Sequence, residues 1–145
     1  MDSNTTVKQV QTNEDRDAIY QIRKHVFVEE QGVAEDREYD EYEDSSQHVL
    51  VLHKGEPVAT GRVRSVDGIA KLERICVLSS HRGLGLGKVV VEALEDTAKA
   101  NGWKKAKLNG QTHAESFYEK LGYKTTSDIF MEEGIPHVTM TKLLD

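Results

Sequence analysis

The sequence predicts a mixed α+β fold: a twisted, mostly antiparallel sheet with a central parallel pair, flanked by helices. Three observations carry this. The run "HVLVLHKGEPVATGRVRSVDGIAKLERICVL" holds three strand-like segments whose connections are too short for anything but antiparallel pairing. From residue 77 to residue 104 the chain reads strand, helix, strand, and such a crossover returns a parallel neighbour. The whole order is then β, α, three β, α, β, α, β, β.

Residues 6–11 alternate weakly and supply the first strand. In "TNED", Thr12 or Asn13 serves as N-cap, and acids fill the first turn, where the helix dipole favours them. Ile19, Ile22 and Val26 recur at spacings of three and four, so residues 14–31 form a helix with one buried face, stopped at Gly32. Strands near 47–53, 57–66 and 69–77 follow. They turn at Lys54–Pro57 and at Asp67-Gly68, a strong hairpin dipeptide. The next helix is the clearest element. Leu86, Val90, Ala93, Leu94 and Thr97 lie on one stripe, Glu92, Glu95, Asp96 and Lys99 occupy the rest, and Asn101-Gly102 closes it. "WKKAKLN" (103–109) alternates as a strand. "THAE" (112–115) reads as a capping box, with Thr112 and Glu115 satisfying each other's backbone donors, and opens a short helix ended by Gly122. "YKTTS" and "PHVTMTKLL" supply the last two strands. The length is that of one domain, expected to span 1–145.

Of 145 residues, 37% are hydrophobic and 30% charged, the balance of a soluble globular chain. The opening, MDSNTTVKQVQ, is polar, and no apolar run approaches the roughly 18 residues of a membrane span. A cytoplasmic protein without signal peptide or membrane contact is expected. The single cysteine, Cys76, excludes an internal disulfide and suits a reducing compartment. The histidines, at 25, 48, 53, 81, 113 and 137, show neither HExxH nor paired Cys/His spacing, so no metal is expected. A formal charge of -6 argues against nucleic acid as the partner. Acid is concentrated in "EDREYDEYED" (35–44), read as a solvated loop or helix end, or as an acidic rim that attracts a cationic amine.

"HRGLGLGKVVVEALE" (81–95) is the most informative stretch. A strand ends near Leu78, a glycine-rich turn follows, and a helix begins near Gly85. Backbone N–H groups at a helix start are unpaired and lie at the positive end of the dipole. Bare Cα positions let a phosphate oxygen approach them, and Arg82 and Lys88 add charge beside the same spot. The expected ligand is a phosphorylated cofactor. The dinucleotide pattern GxGxxG fails, because Lys88 or Val90 stands in its last place. The mononucleotide pattern GxxxxGK[ST] fails as well: Arg82 occupies its first glycine position, and Val89 replaces the hydroxyl residue.

What remains is R-x-x-G-x-G, at Arg82, Gly85 and Gly87. Here the sequence resembles the GNAT superfamily of acetyl-CoA-dependent N-acetyltransferases, whose pyrophosphate loop carries R/Q-x-x-G-x-G/A. "LERICVLSSHRGLGLG" (72–87) looks like that superfamily's fourth strand leading into the loop. "AESFYEKLGY" (114–123) resembles its A-x-x-F-Y-x-x-x-G-F segment, with Tyr123 in the Phe place. "VFVEEQGV" (26–33) and "GIPHVTM" (134–140) look like a subgroup of small bacterial members. The resemblance implies the GNAT acyl-CoA N-acyltransferase fold. It implies acetyl (acyl) transfer from acetyl-CoA, as co-substrate, to a primary amine: a small amine, or an exposed lysine or N-terminus. The backbone of Arg82, Gly83, Leu84, Gly85, Leu86, Gly87 and Lys88 would hold the pyrophosphate. Ile75, Cys76 and Val77 would run beside the pantetheine arm, with an amide there, foremost that of Val77, polarising the thioester carbonyl. Tyr118 would sit near the sulfur. Many members have Asn three residues before the Ala of this segment. Gln111 stands there instead, and Gln111 or Asn109 would make that contact. Dimers are common in the superfamily, so a homodimer stays open. The alternative function is a catalytically inactive CoA-binding sensor or interaction module.

Amide formation from a thioester needs a neutral amine, a stabilised oxyanion and a proton for the leaving thiolate. Tyr118 is the candidate general acid, against a plain core aromatic beside Phe117. Glu73 is the leading base: in "KLERICV", period two sets Glu73 and Ile75 on one face, opposite Leu72 and Arg74. Its alternative is an ion pair with a neighbouring Arg or Lys. Glu29 and Glu30 are rivals, because the superfamily's first helices border the acceptor. His137 lines the acceptor pocket or assists proton transfer, against a structural histidine. Cys76 reads as a small buried hydrophobe.

Overall fold

In the computed structural model, which describes residues 4–144, the expected classes of element appear in the expected order. The strands are β1 (Thr5–Gln9), β2 (Gln47–His53), β3 (Glu56–Val66), β4 (Ile69–Val77), β5 (Lys105–Gln111), β6 (Lys124–Thr125), β7 (Phe130–Glu132) and β8 (Ile135–Leu143). The helices are α1 (Asn13–Arg23), α2 (Glu35–Glu38), α3 (Leu86–Ala100) and α4 (Glu115–Lys120). One sheet runs β1-β2-β3-β4-β5-β8-β6, with β7 also paired to β8. Every pairing is antiparallel except β4 with β5, the crossover pair bridged by α3. Of the expected span 1–145, residues 1–3 and 145 lie outside the described residues.

Alternation along β2 divides the core into two layers. Val49 and Val51 join the layer that holds the Leu86, Val90, Leu94 and Ala98 stripe of α3, together with Leu72, Leu108 and Met140. Leu50 faces the other way, onto Ile19, Ile22 and Val26, with Cys76 beside them. Burying each such side chain is worth roughly 1.5–3 kcal/mol, so these two layers fix α1 and α3 against the sheet. Among the described residues no helix is long and apolar enough to cross a membrane.

Several boundaries differ from expectation. Thr12 is the N-cap of α1, accepting from the Asp15 amide at 3.1 Å. The α winding ends at Arg23, however, and Lys24–Glu30 continues as a π-helix. Ile19, Ile22 and Val26 stay buried through that change, so apolar spacing cannot report it. The capping box at 112–115 does not form. Thr112–Ala114 is a 3-10 turn, α4 starts without a side-chain cap, and Glu115 accepts from the Thr125 hydroxyl instead. The strand read in "YKTTS" shrinks to Lys124–Thr125, and β7 is additional. Between them the Ser127 hydroxyl accepts from the Thr139 amide at 2.8 Å, so a side chain replaces a ladder carbonyl and interrupts the edge.

Candidate active site

β4 and β5 pair only over Ala70–Leu72 and Ala106–Leu108. Beyond that point β4 follows β3 and β5 follows β8. Their parting opens a cleft of about 910 Å³, walled by Glu73 to Val77 on one side and Leu108 to Gln111 on the other. The ladder fixes which amides face it. Leu78 donates to the Val58 carbonyl at 2.8 Å. Pairs alternate along an antiparallel ladder, so Thr60–Cys76 is hydrogen-bonded and Ala59–Val77 is not. The backbone groups of Val77 therefore point away from β3, and its carbonyl accepts from Arg82 Nε at 3.2 Å.

The glycine loop lies at one end of this cleft, which Arg82 and Gly87 line. Gly83 and Gly85 have φ of 84° and 77°, a left-handed conformation costly to any residue with a Cβ. Gly87 has a different reason: a Cβ there would come 3.2 Å from the Phe117 ring. The amides from Gly83 through Lys88 donate to no acceptor among the described residues, and six open donors lead into the start of α3. Lys88 is exposed, while the Leu84 side chain points to solvent and that of Leu86 is in the core. Open amides, a helix dipole and the Arg82 guanidinium fit a diphosphate. Arg82 meanwhile holds Glu30 through two bonds of 2.7 and 2.8 Å.

Tyr118 is both a core ring and a cleft hydroxyl. The ring packs edge-on against Phe117 and Tyr123, with centroids 5.0 and 6.1 Å away, and over the bare Cα of Gly110. The side chain lines the cleft, and its hydroxyl has no hydrogen-bond partner among the described residues. Burial pushes the phenol up to about 12, which keeps it protonated at working pH.

Glu73 is placed differently from the period-two expectation. Arg74 adopts φ 58°, and the register against β3 slips between Thr60 and Arg62: a β-bulge. The extra residue reverses the alternation. Ala70 and Leu72 before it, and Ile75 and Val77 after it, all belong to the α3 layer, whereas Cys76 packs with α1. Glu73 thus lies opposite Ile75, beside Arg62 at 3.0 Å, Arg64 at 2.8 Å and Lys71 at 3.2 Å. Burial disfavours its charge, but the Arg64 hydrogen bond and the Arg62 and Lys71 charges hold its carboxyl at about 2. A carboxylate so held is a poor proton acceptor, and the ion-pair alternative applies.

The acidic segment is likewise neither simply solvated nor a free rim. Glu38 is buried between Arg23 at 2.5 Å and Arg74 at 2.8 Å. Glu43 bridges Arg23 and Arg62, at 2.7 Å from each. Asp40 meets Arg62 at 2.7 Å; burial works against its charge, but the Arg62 bonds hold it at about 2. Arg62 itself is fully buried.

On the far wall, His137 is buried and stacks on Phe130. Its Nδ1 lies 2.7 Å from the Ile135 carbonyl, which can only accept, so Nδ1 carries the hydrogen. The lone pair of the neutral ring is then on Nε2, 3.5 Å from Glu132. Asn109 accepts from the Thr139 hydroxyl at 3.0 Å, and Gln111 donates to Gln31 at 2.9 Å. Glu30 lines the cleft, whereas Glu29 lines a separate, smaller pocket and pairs with His25 at 2.5 Å. Cys76 is buried, and burial pushes its thiol up. Sequence reasoning missed Arg64, Lys71, Arg74 and Glu132 as cleft residues. No spacing rule singles out the first three, and Glu132 belongs to the unanticipated β7.

Residues 9–144 match the family model described as acetyltransferase (GNAT) domain. The fold is that of an acetyltransferase, and the chain belongs to the GNAT family. It is 50% identical over 139 residues to the uncharacterized protein YyaT of Bacillus subtilis (strain 168), covering 94% of each. It is 47% identical over 128 residues to the uncharacterized N-acetyltransferase YjcF of the same organism, covering 88% of this chain and 91% of that one. A crystal structure described as an N-acetyltransferase of Lactobacillus plantarum superposes with a TM-score of 0.89 at 30% identity, covering 98% of this chain and 99% of that one.

Proposed function

We propose that the protein transfers an acetyl (acyl) group from acetyl-CoA to a primary amine by direct attack in a ternary complex. Acetyl-CoA, as co-substrate, supplies the activated thioester. The loop amides of Gly83 to Lys88, with Arg82, bind its diphosphate. The free edge of β4 at Ile75 and Val77 takes the pantetheine arm as an added strand, and the Val77 amide donates to the thioester oxygen as negative charge develops there. His137 replaces Glu73 as proton acceptor: Nε2 takes a proton from the attacking amine, and Glu132 stabilises the imidazolium. Tyr118 gives its hydroxyl proton to the departing sulfur. The C–N bond forms, the C–S bond breaks, one proton leaves nitrogen and one joins sulfur.

The observation that carries this reading is the parting of β4 from β5, which leads from the open loop amides past the Val77 backbone to the Tyr118 hydroxyl. Incubation with acetyl-CoA and a panel of primary amines, with free thiol monitored, tests it. Amine-dependent thiol release is expected. Calorimetric uptake of CoA with no thiol release from any amine would favour the inactive sensor. No uptake at millimolar CoA would remove both readings.

A further inference from the structure

The ion-pair network beside the cleft does not balance. Arg23, Arg62, Arg64, Lys71 and Arg74 form one connected cluster with Glu38, Asp40, Glu43 and Glu73. Five cations thus share four carboxylates. The buried members, Arg23 and Arg62, spend their bonds inside the cluster. The surplus falls on Arg64, Lys71 and Arg74, which line the cleft. Nη1 of Arg64 and Nη1 of Arg74 have no hydrogen-bond partner among the described residues, and Lys71 has only its ion pair with Glu73.

The opposite wall carries the reverse charge. Glu132 has no Lys or Arg partner among the described residues and faces His137 at 3.5 Å. The other cleft acids are consumed: Glu30 by Arg82, Glu133 by Arg37, and Glu38, Asp40 and Glu73 within the cluster. One cleft therefore presents an anionic pole where the amine is deprotonated and a cationic pole on β3 and β4. The first helical region is also tied across this space, by Glu30 to the loop, Gln31 to Gln111 and Arg37 to the β7–β8 turn. Those ties leave room for a small molecule better than for a protein segment.

From this we infer that the acceptor is a small amino acid: an amine bearing one carboxylate, the carboxylate held by Arg64, Lys71 and Arg74 and the amine directed to His137 and Glu132. A monoanion cancels a surplus of one; a phosphate monoester, with nearly two charges, would overshoot it. The inference rests on the proposed acyl transfer and narrows its acceptor.

The test compares α-amino acids and straight-chain ω-amino acids with their carboxamides and their carboxyl-free amines, using acetyl-CoA and thiol release. The free acids should exceed both counterparts in kcat/KM by about ten- to a hundredfold, the size of one charge-assisted hydrogen bond. Lys71→Met and Arg64→Gln should shrink that ratio, chiefly through KM for the acids, in variants shown by calorimetry still to bind CoA. Carboxamides or plain amines turned over as well as the acids would overturn the carboxylate site and leave acyl transfer standing. CoA uptake with no thiol release from any compound would overturn acyl transfer, and the inference with it.

Discussion

Tyr118→Phe removes a single oxygen, and the structure separates what it should cost the fold from what it should cost the chemistry. The hydroxyl has no hydrogen-bond partner among the described residues, while the ring makes the packing contacts with Phe117, Tyr123 and the Gly110 backbone. A phenylalanine ring keeps those contacts. Stability should therefore stay within about 0.5 kcal/mol, or about 2 °C in Tm for a chain of this size. Removing a general acid typically slows turnover by about 10²–10⁴-fold, or about 3–5 kcal/mol of barrier. The assay is thiol release at saturating acetyl-CoA, with thermal unfolding and CoA calorimetry on the same preparation. kcat should fall, with Tm and the CoA Kd unchanged. A folded, CoA-binding variant with undiminished kcat would show that the sulfur leaves without a proton from Tyr118.

Glu73→Gln takes one carboxylate from the fully buried Arg62, which keeps Asp40 and Glu43, and should destabilise the protein by about 1.5–3 kcal/mol in denaturant unfolding, while the pH–rate profile keeps its shape. Loss of a kinetic pKa in that variant would return Glu73 to the chemistry. Gly85→Ala meets no atom but must hold φ near 77°, at a cost of about 1–2 kcal/mol. A loop that relaxes should bind CoA about tenfold more weakly by calorimetry, and unaltered affinity would rule these amides out as the diphosphate site. Asp40 and Glu73 are each held at about 2, below the roughly 4 of an unfolded carboxyl, so the unfolded chain binds more protons between those values. Their contribution should be complete above about pH 5 and drain away as pH falls through about 2. Unfolding free energies that stay level over that interval would contradict it.

Where local rules act alone, the sequence was a good guide. The Leu86–Ala98 stripe, the Thr12 cap, the Asp67-Gly68 hairpin and the crossover that makes β4 and β5 parallel depend on residues close in the chain. The glycine loop was legible for the same reason, although Gly87 proved to serve the Phe117 ring. What stayed hidden depends on distant partners. Glu38 and Arg74 stand 36 positions apart, and nothing near either marks the other. In isolation "EDREYDEYED" is an ordinary solvated run; Glu38, Asp40 and Glu43 turn inward because Arg23 and Arg62 are there, while the rest stays at the surface. The Glu73 misplacement has a narrower cause: period two is true of a regular strand, and only the positive φ at Arg74 announces the exception.

That one residue also sets which way the second half of β4 faces. Were Arg74 drawn into the ladder as an ordinary strand residue, Cys76 would turn toward α3, Ile75 and Val77 would face outward, and the wrong peptide edge would meet the gap; removing Arg74 altogether would leave their facing as it is. The orientation of the segment thus hangs on one backbone kink rather than on any side chain within it.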